Sequence, residues 1–444
     1  MGKLKREIRK FAVRIANRFP VARRLVRMGL NWNRRRLYRK ISSEIEIEPK
    51  TILFESFMGK NYADNPRAIY EYMLSDDRFN DYTFIWVFDD KQISEYLLLS
   101  SEYDLAKDDE EMLNRSNLIK LQEPALERAE IVRYRAGSYH RACARAGIWI
   151  SNSHLLGYLA LKEGQKYIQT WHGTPFKRLA HDIEIGKNAN FTKRELTELY
   201  DEDSRRFTAM ISSGPFTTKV YKSSFDLASV NPDCDFWEIG YPRNDRLCNT
   251  LSEVTVKLKQ EYDLPEDKQI ILYAPTWRDN QYQAGIGYTY QGKMDFDRLY
   301  EKFGSTHVIL FRPHYFIAGD FNFEKYKGFV FDACKVNDIN DLYLISDMLV
   351  TDYSSVFFDY AVLKRPILFY MYDLADYKDK LRGFYLDLAE LPGPIVEEMD
   401  SLIDKIVHVP EIDERYHNFV QKYAPLEDGK ASQRACEQIL SLNL

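Results

Sequence analysis

The sequence predicts an α/β protein of two Rossmann-like, doubly wound domains facing a cleft, preceded by a basic amphipathic segment. Three observations lead there. The chain's 444 residues exceed the roughly 250 that a single core usually supports. From residue 51 onward, short β-rich runs alternate with helical stretches, the pattern of βαβ units whose parallel sheets are covered on both faces. The alternation pauses at "FWEIGYPRNDRL" (236–247), where Gly240 and Pro242 mark a crossing point, and then begins again. The expected divisions are a docking segment over 1–48, a first domain over 49–245 and a second over 246–444.

The first segment stands apart by charge. Residues 1–40 hold 15 Lys and Arg against one acid, Glu7, so this stretch carries +14 while the rest of the chain carries −19 of a net −5. Leu4, Ile8, Phe11, Ala12, Ile15 and Phe19 recur at helical steps of three and four, with basic residues between them. Pro20 ends that stripe, and a second basic run carries Trp32. An apolar stripe with a polybasic face fits a helix lying on an anionic membrane surface. Packing against the body of the protein is the plainer alternative. Nucleic-acid binding is a third, but no nucleic-acid motif accompanies the charge. The sequence lacks the roughly 18-residue apolar run of a membrane span, and its N-terminus lacks a signal-peptide pattern. Its five cysteines are scattered and form no C-x-x-C pair, so a reducing compartment is expected, with neither a zinc ribbon nor a disulfide framework.

In the first domain, "TILFES", "YTFIWVF", "AGIWISNS", "KYIQTW" and "FTAMISSG" read as strands, and "NPRAIYEYML" and "ERAEIVRYRAGSYHRACARA" read as helical. In the second, strands are expected in "QIILYAPTWRDN", "HVILFRPHY", "GFVFDACKV", "DMLVTDYSSVFFDYAVLK" and "PILFYMYDL". Two such domains with their strand C-termini facing one another make the architecture called GT-B. The polar stretch "DNQYQAGIGYTYQGKMD" (279–295) reads either as a flap over a ligand or as a plain surface hairpin.

Open parallel sheets bind ligands just beyond the C-terminal ends of their strands. Those positions hold His172, Gly173, Thr174 and Lys177, then Thr276 and Arg278, then Arg312 and His314, then Asp352, Ser354 and Ser355. The two serines stand at an expected helix start, which presents N–H groups to anions. Arg278, Arg312 and Arg382 add guanidinium forks suited to phosphate, so a pyrophosphate is the natural ligand. Gly173 allows close ligand approach beside His172. One neutral histidine can take a proton from a hydroxyl while a protonated one stabilises phosphate charge; His172 and His314 are the candidates, and His154 and His181 keep a structural reading. Asp352 and Asp359 could orient a loop or a ribose hydroxyl, or serve as structural hydrogen-bond acceptors. Asp89 and Asp90 lack a third ligand nearby, so no metal site and no required cofactor are expected.

Taken in order, "WHGTPFK", "YAPTWRDN", "FRPHY", "TDYSSVFFDYAVLKRPILFYMYDLADY" and "RGFYLD" resemble the successive signatures of the CDP-glycerol glycerophosphotransferase family, the teichoic acid primases and polymerases. The resemblance spans about residues 165–390. It implies a GT-B enzyme with the acceptor in the first domain and a CDP-polyol in the second. It further implies transfer of glycerol phosphate, or ribitol phosphate in a sister group, from CDP-glycerol or CDP-ribitol. The acceptor would be a hydroxyl of an undecaprenyl-diphosphate-linked saccharide or polyol phosphate, and the released nucleotide CMP. By the same resemblance His172 is the base, His314 the second essential histidine, and Thr276, Arg278, the Asp352–Ser355 turn and Arg382 surround the CDP. The implied location is the cytoplasmic face of the cell membrane, reached peripherally through residues 1–40. A nucleotide-sugar glycosyltransferase and a non-catalytic membrane- or nucleic-acid-binding protein are the competing readings. Glycerol versus ribitol, primase versus polymerase, and the oligomeric state stay open at this level.

Overall fold

The apolar runs pair into two separate parallel sheets. The computed structural model describes residues 20–89, 116–117, 119–183, 193–276, 282–283, 287–288, 293–312, 321–334, 336–375 and 383–443, with side chains from residue 31 onward except at 282–283 and 287–288. The first sheet holds β1 (Glu48–Glu55), β2 (Thr83–Phe88), β3 (Ala129–Arg133), β4 (Ala146–Ser151), β5 (Lys166–Gln169), β6 (Ala209–Ser212) and β7 (Asp235–Glu238) in the order β3-β2-β1-β4-β5-β6-β7. The second comprises β8 (Gln269–Ala274), β11 (His307–Phe311), β12 (Val330–Asp332), β13 (Met348–Thr351), β14 (Ile367–Tyr370) and β15 (Ile395–Val396) in the order β12-β11-β8-β13-β14-β15. Each sheet winds outward in both directions from its first strand, which places a crevice between β1 and β4 and another between β8 and β13. A small antiparallel hairpin of β9 (Tyr282–Gln283) and β10 (Gly287–Tyr288) lies in the stretch read as flap or hairpin.

Side-chain alternation explains why both sheets are covered on both faces. Along β1, Ile52 and Phe54 join Trp86, Ile150 and Ile168 in one core, while Leu53 joins Val87, Trp149 and Tyr167 in the core opposite. The second sheet divides in the same way between Leu272, Leu310 and Leu349 on one side and Ile271, Tyr273, Ile309 and Val350 on the other. Period-two burial on both faces is what near-continuous apolar strands produce in a parallel sheet.

Three elements depart from the sequence reading. "ERAEIVRYRAGSYHRACARA" splits into β3 and the helix Gly137–Arg145, with Arg135 at φ 64 between them. The β-branched pair Ile131 and Val132 docks on β2, so tertiary pairing overrides the helical spacing. The two-residue β15 adds the far edge of the second sheet. The C-terminal helix Ala431–Leu440, assigned by the sequence to 246–444, buries Ala435, Cys436 and Ile439 in the core of the first domain, beside Ile69, Tyr70 and Met73. Its small residues let it lie against the helix Asp64–Leu74.

The second basic run forms a helix, Pro20–Ser43. Its inner side is anchored: Tyr38 and Ser42 are buried, Arg34 lies over the Tyr158 ring, and Arg35 donates to the Gly157 carbonyl and pairs with Glu202. Its outer side exposes Trp32 and Leu37 among Arg36, Arg39 and Lys40. The stripe from Leu4 to Phe19 lies outside the described residues. No helix among the described residues is long and apolar enough to cross a membrane.

The domains are joined by more than their linker. After β5 the chain runs from the first domain into the second, where Phe176, 1% exposed, belongs to the same core as Leu272, Phe357 and Phe369. Its ring stacks on Phe384 at 4.5 Å and meets Phe357 edge-on at 5.1 Å. A β-bridge pairs Lys177 with Phe384, and Arg178 N–H donates to the Gly383 carbonyl. Tyr385 donates to Asp182 at 2.6 Å and accepts from Leu179 N–H at 3.0 Å. Replacing a buried phenylalanine by alanine typically costs about 3–5 kcal/mol. Phe176→Ala is therefore expected to lower the free energy of denaturant unfolding by about that amount, with both domains affected. A loss below about 1 kcal/mol would contradict the shared core.

Candidate active site

Three loops at the C-terminal edge of the first sheet converge on His172. The loop after β1 brings Phe57, whose ring lies 5.9 Å from the imidazole. The loop after β4 brings Asn152, whose carbonyl accepts from His172 Nδ1 at 2.8 Å, while its side-chain Oδ1 accepts from Phe57 N–H. The loop after β5 brings Trp171, stacked on the imidazole at 4.4 Å. With Nδ1–H committed to a carbonyl, Nε2 carries the lone pair of the neutral ring.

The backbone here is held in costly conformations. Phe57 (φ 48), Met58 (φ 60), Asp64 (φ 67) and Trp171 (φ 47) all lie in the left-handed region, at roughly 1–3 kcal/mol each for a non-glycine residue. They persist because their surroundings fix them: the Asn65 amide donates to the carbonyls of Thr170 and Trp171 at 3.4 and 3.2 Å. Gly173, at φ 142, has a backbone conformation that residues with a Cβ rarely adopt, and a Cβ there would press on Arg243 Nη2 at 3.0 Å. Its carbonyl accepts from Tyr221 Oη at 3.0 Å.

His172 faces the cleft with its surface open, yet the surrounding walls are dense protein. Their dehydration of the imidazolium is the largest influence on its pKa and lowers it. Arg243 and His154 push the same way, against the Asn152 hydrogen bond and the Asp64 carboxylate. The ring is therefore a neutral base near pH 7.

The second domain meets this histidine loop at the turn after β13. The Cβ direction of Gly173 points to within 3.7 Å of Ser355 Oγ, which brings the His172 loop and the Ser354–Ser355 turn together. Both serines are half-buried. Ser355 stands at the start of the helix Val356–Tyr360 and makes no side-chain capping bond. Asp352, 2% exposed, accepts from Thr276 N–H at 2.7 Å, Thr276 Oγ1 at 2.6 Å and Tyr353 N–H at 2.6 Å. It thereby ties the loop after β8 to the loop after β13.

Several of the expected ligand groups have protein partners. Asp359 is 5% exposed, with Oδ2 on Arg243 at 2.7 Å and Oδ1 on the Asn244 amide at 3.0 Å. Arg312 Nη1 donates to the carbonyls of Ala333 and Val336, bracing the loop beyond β12. Thr174 is buried, its hydroxyl on Ser213 at 3.0 Å, and Lys177 lies in the bridge to Phe384. Arg278, His314 and Arg382 lie outside the described residues. His154 and His181 pair with Asp203 and Asp201. Among the described residues no group of three or more His, Cys, Asp or Glu could hold a metal ion.

Sequence reasoning missed Arg243, Asp64, Asn65 and Asn152, the groups that hold His172 in place. The one available signal was "GYPRNDRL", where an arginine follows a Gly-x-Pro turn at the boundary between the two series of strands.

Residues 37–441 match the model of a family described as CDP-glycerol:poly(glycerophosphate) glycerophosphotransferase. A teichoic acid poly(glycerol phosphate) polymerase of Staphylococcus epidermidis is 37% identical over 406 residues, covering 90% of this chain and 52% of that one; this chain thus spans about half of that relative's length. A teichoic acid glycerol-phosphate transferase of Staphylococcus aureus is 35% identical over 87% of this chain and 92% of its own. Among solved structures, a histidine variant of the wall teichoic acid polymerase TagF soaked with CDPG superposes with a TM-score of 0.77. It is 34% identical, with 95% of this chain and 96% of that one covered.

The depressed basicity of His172 gives a direct expectation. In an NMR titration of the histidine rings, the resonance that disappears in His172→Ala should titrate below the ordinary midpoint of about 6.5, and any rate that needs the neutral ring should have its acid limb below that pH. A midpoint at or above about 6.5 would mean that cleft dehydration does not govern this ring.

Proposed function

The chain belongs to the CDP-glycerol:poly(glycerophosphate) glycerophosphotransferase family, and on that premise we propose that it transfers glycerol phosphate from CDP-glycerol to a hydroxyl of a lipid-linked acceptor. CMP leaves, and the reaction serves the synthesis of teichoic acid or a related cell-surface polymer. The observation that carries this reading is the neutral, cleft-facing His172 set against the Ser354–Ser355 turn of the opposite domain.

In this scheme Nε2 of His172 takes the proton of the acceptor hydroxyl. The freed oxygen attacks the glycerol-linked phosphorus in line, a new O–P bond forms, and the bond from that phosphorus to the oxygen of the CMP phosphate breaks. Such transfers rest mainly on positioning and charge stabilisation. The Ser354–Ser355 turn and the Thr276 loop, braced by Asp352, form the donor side. His314, Arg278 and Arg382 complete it by their places in the family's motifs, meeting the pyrophosphate charge. The scheme calls on no metal or other cofactor.

The acceptor fixes the location. A lipid-linked substrate is reached from the membrane surface, and the outer side of the helix Pro20–Ser43, with Trp32 and Leu37 among Arg36, Arg39 and Lys40, suits insertion at an anionic interface. We place the protein peripherally on the cytoplasmic face, docked through residues 1–40, with an undecaprenyl-diphosphate-linked saccharide or polyol phosphate as acceptor.

The test is nucleotide release from CDP-glycerol and CDP-ribitol in parallel, with a lipid-linked acceptor analogue and chromatographic detection. Acceptor-dependent CMP from CDP-glycerol is expected, and His172→Ala should lower kcat by about 10²–10⁴-fold, the usual contribution of a general base. CMP from CDP-ribitol alone would make the protein a ribitolphosphotransferase. Release of a nucleoside diphosphate from a nucleotide sugar would overturn phosphotransfer altogether.

A further inference from the structure

We infer that Arg243 is a positioning residue that holds the His172 loop at its working distance from the donor-side turn, as the central member of an ion chain crossing between the domains. The inference rests on the reading of His172 as the base.

Arg243 is 6% exposed and stands between two buried carboxylates contributed by different domains. Nη1 makes a forked pair with Asp64 at 3.1 and 3.0 Å, from the helix that covers the first sheet. Nη2 reaches Asp359 at 2.7 Å, on the short helix Val356–Tyr360 that Ser355 precedes. The planar fork of a guanidinium can serve two carboxylates at fixed angles in a way that an ammonium cannot. Burial alone would lower the Arg243 pKa, but Asp359 and Asp64 outweigh it and keep the group charged.

The same side chain reaches the base-bearing loop by two routes. Nη2 lies against Gly173, the residue next to His172. The guanidinium also covers the Tyr241 ring at 5.1 Å; Tyr241 Oη pairs with Tyr221 Oη at 2.8 Å, and Tyr221 holds the Gly173 carbonyl. The Arg243 backbone is pinned from both sides as well, its N–H donating to Asn65 of the first domain and its carbonyl accepting from the Asn340 amide of the second. A displacement of either domain is thus transmitted to the loop that carries His172. Misplacing a reacting group by about 1 Å can cost on the order of 100-fold in rate.

The variants Asp64→Asn, Asp359→Asn and their combination keep side-chain shape while removing one or both carboxylate anchors. They are assayed at pH 8.5, where His172 is neutral in each, together with donor affinity by calorimetry using CDP-glycerol on the acceptor-free enzyme. Each single variant should lose about 10–100-fold in kcat with donor Kd within about twofold. Cutting a chain at one link is equivalent to cutting it at two, so the double variant should match the worse single variant. Arg243→Lys, which retains a charge but cannot span both partners, should show the same split.

Losses that multiply in the double variant, as independent sites would give, or losses that follow donor Kd, would overturn the inference. So would wild-type kcat in Asp359→Asn and Arg243→Lys. Should the Asn variants fail to fold, Arg243→Lys alone decides by the same kcat-against-Kd comparison. A His172→Ala enzyme with wild-type turnover would instead defeat the base reading, whatever the Arg243 variants do.

Discussion

The structure depends most on one loop that belongs to two domains at once. The chain leaves β5 in the first domain, presents His172 to the cleft, and two residues beyond Thr174 buries Phe176 in the core of the second. A buried aromatic side chain is worth several kcal/mol and accepts only small displacements before contacts are lost. His172 and the wall it faces therefore share a packing constraint. The strained residues beside it, Trp171 and Met58 above all, are held by rigid surroundings that a freely hinging loop would not provide.

Ionic contacts repeat the same theme where the two halves meet. Arg67 approaches Asp338, Arg246 pairs with both Asp338 and Asp341, and Arg243 links Asp64 with Asp359. Buried or half-buried charges of this kind are weak evidence for stability but strong determinants of geometry, because leaving one partner alone is costly. Together with the return of the helix Ala431–Leu440 to the first domain, they make the crossing between the two halves an extensive interface. The sequence suggested only a crossing point at Gly240 and Pro242.

Legibility in the sequence followed from how strongly local pattern determined structure. The strands β1, β2, β4, β8, β11 and β13, each carrying a run of at least four buried residues, were evident because unbroken apolar runs bounded by polar turns have few other uses. The edge strands β3 and β15 were not, since edge strands are short and half-polar; Ile131 and Val132 were absorbed into a helical spacing. That His172, Gly173 and Ser355 come together was legible because strand C-termini share one edge of a parallel sheet. The protein partners of Asp359 and Arg312, which are Arg243, Asn244 and two backbone carbonyls, were not legible in one dimension. Nothing local in "GYPRNDRL" reveals that Arg243 meets residues more than a hundred positions away on either side.

In the proposed reaction the donor's reacting phosphorus lies between His172 and the Ser354–Ser355 turn. The most direct measurement is a crystal structure of the His172→Asn protein with CDP-glycerol bound. The glycerol-linked phosphate is expected in the cleft, between the substituted side chain and Ser355, with the cytidine toward the Thr276 loop. A donor seated with its phosphates away from that side chain, or along the first domain alone, would contradict it.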